Sequence, residues 1–130
     1  MLMHWPKKIV AGSRYTHPVN ALDFYPTFAD LANAKIANTK ELDGKDIWPA
    51  IVSGDNVRKG ESLFVLRHYA DFSNAAVRRG NWKAVKYGSK PWQLFDIEND
   101  IEEEKDLSKK NQALLRDMVR ELGAWRWSNV

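Results

Sequence analysis

Cysteine is absent from the 130-residue chain, and other residues typical of catalytic and metal sites are sparse. Without cysteine the chain contains no disulfide, thiolate metal site or cysteine nucleophile. Its histidines, His4, His17 and His68, stand far apart, and no pair has the spacing of a helical zinc motif. Glycine-rich phosphate loops are also missing. We therefore assign no catalytic residue and no metal ligand, and the chain alone does not have the features of an independent enzyme.

Long apolar runs are missing as well. No stretch approaches the roughly 20 apolar residues that a membrane span requires. The opening residues, MLMHWPKK, are apolar only briefly and then basic, which is the reverse of a secretory signal. Hydrophobic residues make up 44% of the chain and aromatic residues 12%, a composition typical of a folded protein. We expect a folded chain with no membrane partner, and the lack of cysteine does not fix its compartment.

Charge is unevenly distributed along the chain. Residues 96–106, DIENDIEEEKD, hold seven acids and one base, whereas residues 78–90, RRGNWKAVKYGSK, hold five bases and no acid. A basic stretch with aromatic residues suits an anionic substrate or a nucleic acid. Alternatively, the acidic stretch folds back against the basic strands, or both are solvated surface. We favour this second interpretation.

The C-terminal half has the patterns of a small antiparallel sheet and a helix. Four runs favour strands because they are short, rich in β-branched and aromatic residues, and separated by turns: SLFVLRHY, NAAVRR, WKAVKY and WQLFDI. Arg79-Gly80-Asn81 predicts a hairpin turn between the second and third runs. A helical stripe of apolar residues covers roughly residues 109–125. The predicted class is α+β, with about four strands covered by a C-terminal helix.

The N-terminal half predicts a strand and two short helices. LMHW is an apolar run stopped by Pro6, which favours a short strand. In LDFYPTFADLAN, a helix that begins near Asp23 places Pro26 in its first turn, where a missing N–H breaks no bond. We expect Asp23 to cap this helix. A further short helix around Pro49 should end at Gly54.

Three N-terminal segments resemble motifs of the sulfatases. LMHWPKKIVAG resembles their "hydrophobic-W-P-G-x-I" segment, with Lys7 at the usual glycine. NALDFYPTFADLAN is similar to "x-x-x-D-x-x-P-T-x-x-x-L-A-G", with Asn33 at the terminal glycine. LDGKDIWPAIVSG follows "L-D-G-x-D-L-x-P-x-L-x-G" almost throughout.

Two C-terminal segments complete the resemblance. AAVRRGNWKAVKY resembles "A-V-R-x-G-x-W-K-L", and WQLFDIENDIEEEKDLS resembles "W-x-L-Y-D-L-x-x-D-P-x-E-x-x-N-L-A". Ile101 stands at the proline of that last motif and Asp106 at its asparagine. Five motifs in the family's order over nearly the whole chain identify it as similar to the C-terminal part of a sulfatase, of the alkaline phosphatase superfamily.

The resemblance implies that the catalytic residues belong to an N-terminal half that is missing from this chain. Sulfatases hydrolyse sulfate esters with a formylglycine, made from Cys or Ser in C/S-x-P-x-R, and with a divalent cation, usually calcium. The near-match at residues 89–93, SKPWQ, ends in Gln93 where the motif requires Arg, so we interpret it as a turn. The implied domains are residues 1–60, a strand and short helices that end the large α/β domain, and 61–130, the C-terminal subdomain.

By the same resemblance the whole protein takes a sulfated small molecule or glycan and is periplasmic or secreted. Candidate substrate-binding residues are Arg67, His68 and Tyr69 at the end of one strand, with Arg78 on the next. Alternatively the two arginines pair with acids of residues 96–106, while His68 and Tyr69 pack on the C-terminal helix. Two other functions stay open: a phosphonate or phosphodiester hydrolase of the same superfamily, and an independent basic module that binds anionic glycan or nucleic acid. The sulfatase interpretation needs no nucleic acid.

Overall fold

The computed structural model describes residues 1–36, 42–67 and 73–128, without the side chains of residues 126–128. The chain divides into two compact units, Met1–Lys59 and Gly60–Val130. The first unit is built from turns and short helices, and the second from a sheet and a long helix. The assignment of residues 1–60 to the end of a larger α/β domain stays a prediction.

The first unit contains a 3-10 turn and two helices. The turn, Ala21–Asp23, leads directly into helix α1, Phe24–Leu31. As predicted, Pro26 lies in the first turn of α1; its side chain is buried. Asp23 occupies the N-cap position, but its carboxylate makes no cap hydrogen bond. Instead Asn20 caps the preceding 3-10 turn, accepting from Leu22 N, while Asp23 accepts from Asn20 N. The predicted capping role of the Asp23 side chain in α1 was therefore wrong.

Helix α2, Trp48–Ser53, ends at Gly54, whose φ of 84° is a left-handed conformation that glycine adopts readily. This end was predicted. The strand predicted at residues 2–5 was wrong, since these residues have no strand structure. The Trp5 carbonyl instead accepts the amides of Lys8 and Ile9 and closes a turn. An apolar run becomes a strand only where another strand satisfies its backbone groups.

The second unit contains the predicted antiparallel sheet. Its strands are β1, Ser62–Leu66, β2, Asn74–Arg79, β3, Trp82–Tyr87, and β4, Gln93–Asp96. They lie in the order β1-β2-β3-β4, and each pairs antiparallel with its neighbour. Arg79 pairs with Trp82, so Gly80 and Asn81 form the hairpin turn that the sequence predicted. The fold is α+β, as predicted.

Helix α3, Gln112–Ser128, covers one face of the sheet. Side chains alternate along each strand, so every second residue faces the helix. The core between them consists entirely of apolar residues: Ala75, Val77, Ala84, Leu94, Met118 and Leu122. A smaller cluster of Val85, Phe95 and Ile97 lies on the opposite face. We call that opposite face the groove face, because a groove opens on it.

Candidate functional site

The groove is an open depression of about 340 Å³ on the groove face of the second unit. Strand alternation brings its residues together, because residues two apart on one strand share a face. Leu63 and Val65 come from β1, and Ala76 and Arg78 from β2. The remaining lining residues are Lys83, Ile97, Ile101 and Glu103. The floor is therefore aliphatic, and the charged groups come from β2, β3 and the acidic stretch.

The acidic stretch folds back over the sheet and contributes the groove's carboxylate. Glu103 forms an ion pair with Lys83, and the side chains of both are largely shielded from solvent. Strands β3 and β4 pair antiparallel, with Lys83 opposite Phe95. Both features support the interpretation that the acidic stretch folds back against the basic strands. The charges of Lys83 and Glu103 therefore neutralise each other within the groove.

Backbone hydrogen bonds hold the acidic stretch in place. The Asp100 carboxylate accepts the amides of Lys105, at 2.9 Å, and Glu104, at 3.0 Å. Both bonds lower the pKa of Asp100, and the bond from the Lys105 amide has the larger effect. Asp106 accepts the amides of Leu94 and Ser108. Burial raises the pKa of Asp106, and the amides of Ser108 and Leu94 outweigh burial and lower it overall. The loop that carries Glu103 is thus tied to itself and to β4.

Of the four predicted substrate-binding residues, Arg67 and Arg78 are described, whereas His68 and Tyr69 lie outside the described residues. Arg78 pairs with Leu63 at the start of β1, and Arg67 follows the end of that strand. The structure therefore does not bring the two arginines together. Four residues of strand separate their positions, roughly 13 Å at the rise of a β-strand.

Neither arginine forms an ion pair with any described residue. Arg78 donates from Nε to the Gly80 carbonyl at 3.3 Å, which leaves its terminal nitrogens directed to no described group. Arg67 is exposed, and its backbone amide donates to Asn74 O at 2.9 Å. Arg78 therefore supplies the groove with a cation that no described carboxylate neutralises.

A buried ionic cluster in the first unit was not predicted. Asp23, fully buried, accepts the amides of Asn20 and Lys45 at 2.7 and 2.9 Å and forms an ion pair with Arg58. Thr27 extends the cluster, donating to the Asp23 carbonyl at 2.6 Å and accepting the Ile47 amide at 3.0 Å. We call Asp23, Thr27 and Arg58 the buried polar cluster. It ties the start of α1 to two later segments.

Part of this cluster had a signal in the sequence. Asn20 and Asp23 have the spacing of a capping box, in which the fourth residue reaches back to the first. Nothing local marks Arg58, which lies 35 positions beyond Asp23. Within the described residues, no group of three or more histidine or acidic side chains is arranged to hold a metal. No helix in the described part of the chain is long and apolar enough to cross a membrane.

Comparisons with known proteins bear on both the fold and the sequence motifs. The family model "N-sulphoglucosamine sulphohydrolase, C-terminal" matches residues 1–126. The crystal structure of Ps i-CgsB in complex with k-i-k-neocarrahexaose is 52% identical over 98% of the chain, with a TM-score of 0.87. Steryl-sulfatase of Mus musculus is 32% identical over 72% of the chain, and a sulfatase of Formosa agariphila is 27% identical over 99%.

The chain spans 28%, 14% and 27% of the lengths of these three proteins. A phosphonate monoester hydrolase of Agrobacterium radiobacter shares the fold alone, at 20% identity, over 83% of this chain and 25% of its own, with a TM-score of 0.54. The family model covers nearly the entire chain, and four of the five sulfatase motifs contain an observed helix or strand. The chain belongs to the family of N-sulphoglucosamine sulphohydrolase C-terminal domains and is the C-terminal part of a sulfatase.

Proposed function

We propose that the whole protein hydrolyses sulfate esters on an oligosaccharide of the neocarrahexaose type. The observation that carries this proposal is the 52% identity, over 98% of the chain, to a protein crystallised with such an oligosaccharide. This chain contributes a wall of the substrate cleft and no reacting group. The phosphonate or phosphodiester alternative is less well supported, since that relative has only 20% identity.

The reacting groups belong to the N-terminal catalytic half. By family resemblance these are a formylglycine and a calcium ion. This chain has no cysteine, and its one near-match to the modification motif has Gln93 in place of arginine. The described residues also lack a metal-binding cluster. The isolated chain should therefore show no turnover of aryl sulfates, and metal-dependent turnover by the chain alone would contradict the proposal.

The first unit is best interpreted as the end of the larger α/β domain. Among the described residues, nine of the twelve exposed large hydrophobic residues lie within residues 1–59, for example Trp5, Tyr25 and Phe28. An apolar surface of this extent is typical of a face that another part of a protein covers. The same family resemblance supports a periplasmic or secreted location for the whole protein.

The groove, with Arg78 in its lining and Arg67 outside it, provides the contacts with the substrate beyond the reacting sulfate. A guanidinium binds sulfate or carboxylate oxygens with charge-assisted hydrogen bonds, and an aliphatic floor suits the apolar face of a sugar ring. Alternation places Arg67 on the same face as Arg78, roughly 13 Å away along the strand. That separation suits an extended oligosaccharide better than a single sugar. His68 and Tyr69 would act beside Arg67.

The test uses the complete protein with the variant Arg78→Ala. We expect the KM for sulfated neocarrahexaose to rise about tenfold, because one charge-assisted hydrogen bond is lost. The cleavage of 4-nitrophenyl sulfate should be normal. Arg120→Ala is the matched control, because Arg120 lies on the exposed side of α3. Equal losses on both substrates together with a lower melting temperature would make Arg78 structural. Turnover of phenyl phosphonates in preference to sulfate esters would replace the proposed reaction.

An independent binding module makes a different prediction. If the isolated chain bound anionic polymers, its affinity for heparin or DNA would fall steeply as the salt concentration rises. We expect only weak, nonspecific retention, because Lys83 is already paired with Glu103.

A further inference from the structure

Three residues lie side by side across one end of the sheet, next to the ends of β1, β2 and β3. Leu66 pairs with Ala75, so the next residue, Arg67, stands opposite Asn74. The Arg67 amide donates to the Asn74 carbonyl at 2.9 Å. Asn74 pairs in turn with Tyr87 on its other side. We call Arg67, Asn74 and Tyr87 the polar row.

Strand alternation places the polar row on the groove face. Residues two or four apart on one strand share a face of the sheet. Asn74 lies two residues before Ala76 on β2, and Tyr87 lies four residues after Lys83 on β3. Ala76 and Lys83 both line the groove. Asn74 and Tyr87 therefore share that face with Arg67.

The side chains of the polar row are available to a ligand. Tyr87 is 54% exposed, and Arg67 is exposed as well. Among the described residues, none forms a hydrogen bond with the Tyr87 hydroxyl or with the side-chain amide of Asn74. The backbone beneath them is held on both sides, because Gly88 N donates to Ser73 O and Lys90 N donates to Tyr87 O. The row is therefore a set of unpaired polar groups on a fixed backbone.

We propose that the polar row is a subsite for a sugar unit distant from the reacting sulfate, with Tyr87 and Asn74 as specificity-determining residues. This inference rests on the proposed function, the hydrolysis of sulfate esters on an oligosaccharide. The Tyr87 ring stacks on the apolar face of that sugar. The Asn74 amide has donors and an acceptor for its hydroxyls, and the Arg67 guanidinium binds a sulfate on it.

The spacing along the strands sets the length of substrate that this subsite detects. Four residues of β3 separate Tyr87 from Lys83, which is about 13 Å at the rise of a β-strand. The row between them is aliphatic, with Val65, Ala76 and Val85 side by side. An extended oligosaccharide can contact the polar row and the charged end of the groove at once. A single sugar can contact only one of them.

The positions of these residues in the sequence also favour a role in substrate choice. The sulfatase pattern A-V-R-x-G-x-W-K-L covers residues 76–84, and both Asn74 and Tyr87 lie just outside it. Positions that the pattern leaves open can differ between sulfatases that act on different substrates. Arg67 directly precedes His68 and Tyr69, the other predicted substrate-binding residues of this strand end.

The test uses the complete protein and three substrates: sulfated neocarrahexaose, a sulfated monosaccharide and 4-nitrophenyl sulfate. Tyr87→Ala should raise the KM for the hexasaccharide roughly three- to tenfold, because ring stacking is lost. The kcat/KM for the two small substrates should stay unchanged. Tyr87→Phe keeps the ring and should keep most of the affinity for the hexasaccharide. Ser89→Ala, an exposed position in the following turn, is the matched control and should change nothing.

A second variant tests the row through charge. Asn74→Asp places a carboxylate opposite Arg67 and should raise the KM for the hexasaccharide about tenfold at low salt, because the guanidinium is then paired within the protein. This effect should shrink as the salt concentration rises. Asn74→Ala removes only the amide and should have a smaller effect that depends less on salt. Equal effects of the two variants at every salt concentration would contradict a subsite for a sulfated sugar.

The outcomes separate this inference from the proposed function. If the protein cleaves neocarrahexaose equally well with and without the Tyr87 ring, the subsite is overturned and the proposed reaction stands. Equal losses on all three substrates with a lower melting temperature would make Tyr87 structural, which also overturns the subsite. Cleavage of a heparin hexasaccharide in place of neocarrahexaose, with the same dependence on Tyr87, would support the subsite and replace the proposed substrate. A protein that cleaves neither oligosaccharide would overturn both proposals.

Discussion

The two units of this chain are held together by different interactions. Among the described residues of the first unit the buried side chains include the charged and hydroxyl groups of Asp23, Thr27 and Arg58, and the buried apolar residues are Pro26, Ile47 and Ala50. In the second unit every buried described residue is apolar. One unit therefore depends on hydrogen bonds and an ion pair, and the other on packing of apolar surface.

This difference indicates which residues each unit needs for its stability. The second unit has a hydrophobic core between sheet and helix, as a small autonomous fold requires. Among its described residues, the first unit buries polar groups and leaves nine large hydrophobic residues exposed. Its stability should be sensitive to single polar changes and insensitive to apolar ones at its surface.

The largest expected effect is that of Asp23→Ala. Removing this carboxylate breaks the buried ion pair with Arg58 and takes away the acceptor of two amides, those of Asn20 and Lys45. Breaking a buried ion pair in this way costs about 3–5 kcal/mol. Amide hydrogen exchange should show the loss of protection within residues 1–59 and little change in the sheet.

Two further variants make that result specific. Asp30→Ala changes an exposed acid of the same helix and should leave exchange unaltered. The double variant Asp23→Leu/Arg58→Met removes both charges and should be less destabilised than Asp23→Ala, because no unpaired charge remains. A double variant as unstable as the single one would show that the backbone bonds of Asp23 matter more than its ion pair.

The second unit should respond to loss of apolar volume. Leu94, on β4, is fully buried in the core between the sheet and α3, and Leu94→Ala should lower the free energy of unfolding by about 2–5 kcal/mol. Ile101→Ala is the matched control, because Ile101 is 74% exposed, and its effect should be within about 0.5 kcal/mol. Chemical denaturation followed by circular dichroism measures both. Similar losses for the two variants would mean that the unit lacks a specific core.

The same contrast explains what the sequence predicted well. Alternation and helical stripes are properties of neighbouring residues, so the four strands, the hairpin turn at Gly80 and α3 could be predicted. The strand expected at residues 2–5 was wrong, since strand formation depends on a partner that local sequence does not specify. The substrate-binding role of the four candidate residues stays a prediction. Arg67 and Arg78 are described, but their separation depends on the register of β1 and β2.

The buried polar cluster was the largest omission. Asp23 was predicted to cap a helix, which is the usual role of an aspartate before an apolar periodic segment. Its other partners, Lys45 and Arg58, approach only in the folded chain. Gly44 shows the same tight packing, because a Cβ built there would lie 2.1 Å from Leu22 O. Contacts between distant segments of this kind leave no periodic signal in a sequence.

A smaller effect should come from acid, at the surface of the second unit. Hydrogen bonds from Arg79 to Asp117 lower the pKa of this carboxyl from its ordinary value. A carboxyl whose pKa is lower in the folded than in the unfolded state stabilises the fold at pH values above its unfolded pKa. This contribution is lost as the pH falls through the folded-state pKa. Stability should therefore fall below about pH 4. Asp117→Asn should reduce this loss of stability at acid pH, whereas Glu102→Gln should leave it unchanged. Urea titrations from neutral to acid pH measure the free energy of unfolding of each variant.

The smallest effects concern two residues that stand where the sulfatase pattern has glycine. Lys7 and Asn33 both have positive φ, 70° and 50°, a region that costs most residues about 1 kcal/mol or more and that asparagine tolerates better. Lys7→Gly should therefore stabilise the first unit by up to about 1 kcal/mol, and Asn33→Gly by a few tenths, since the added freedom of the unfolded chain offsets part of each gain. Gly12→Ala, at a φ of 75° with open space around it, is the reverse control and should destabilise by a similar amount. Hydrogen exchange of the first unit ranks the three variants. If Asn33→Gly stabilised more than Lys7→Gly, backbone strain would not account for these two departures, and side-chain contacts of Lys7 would have to explain them.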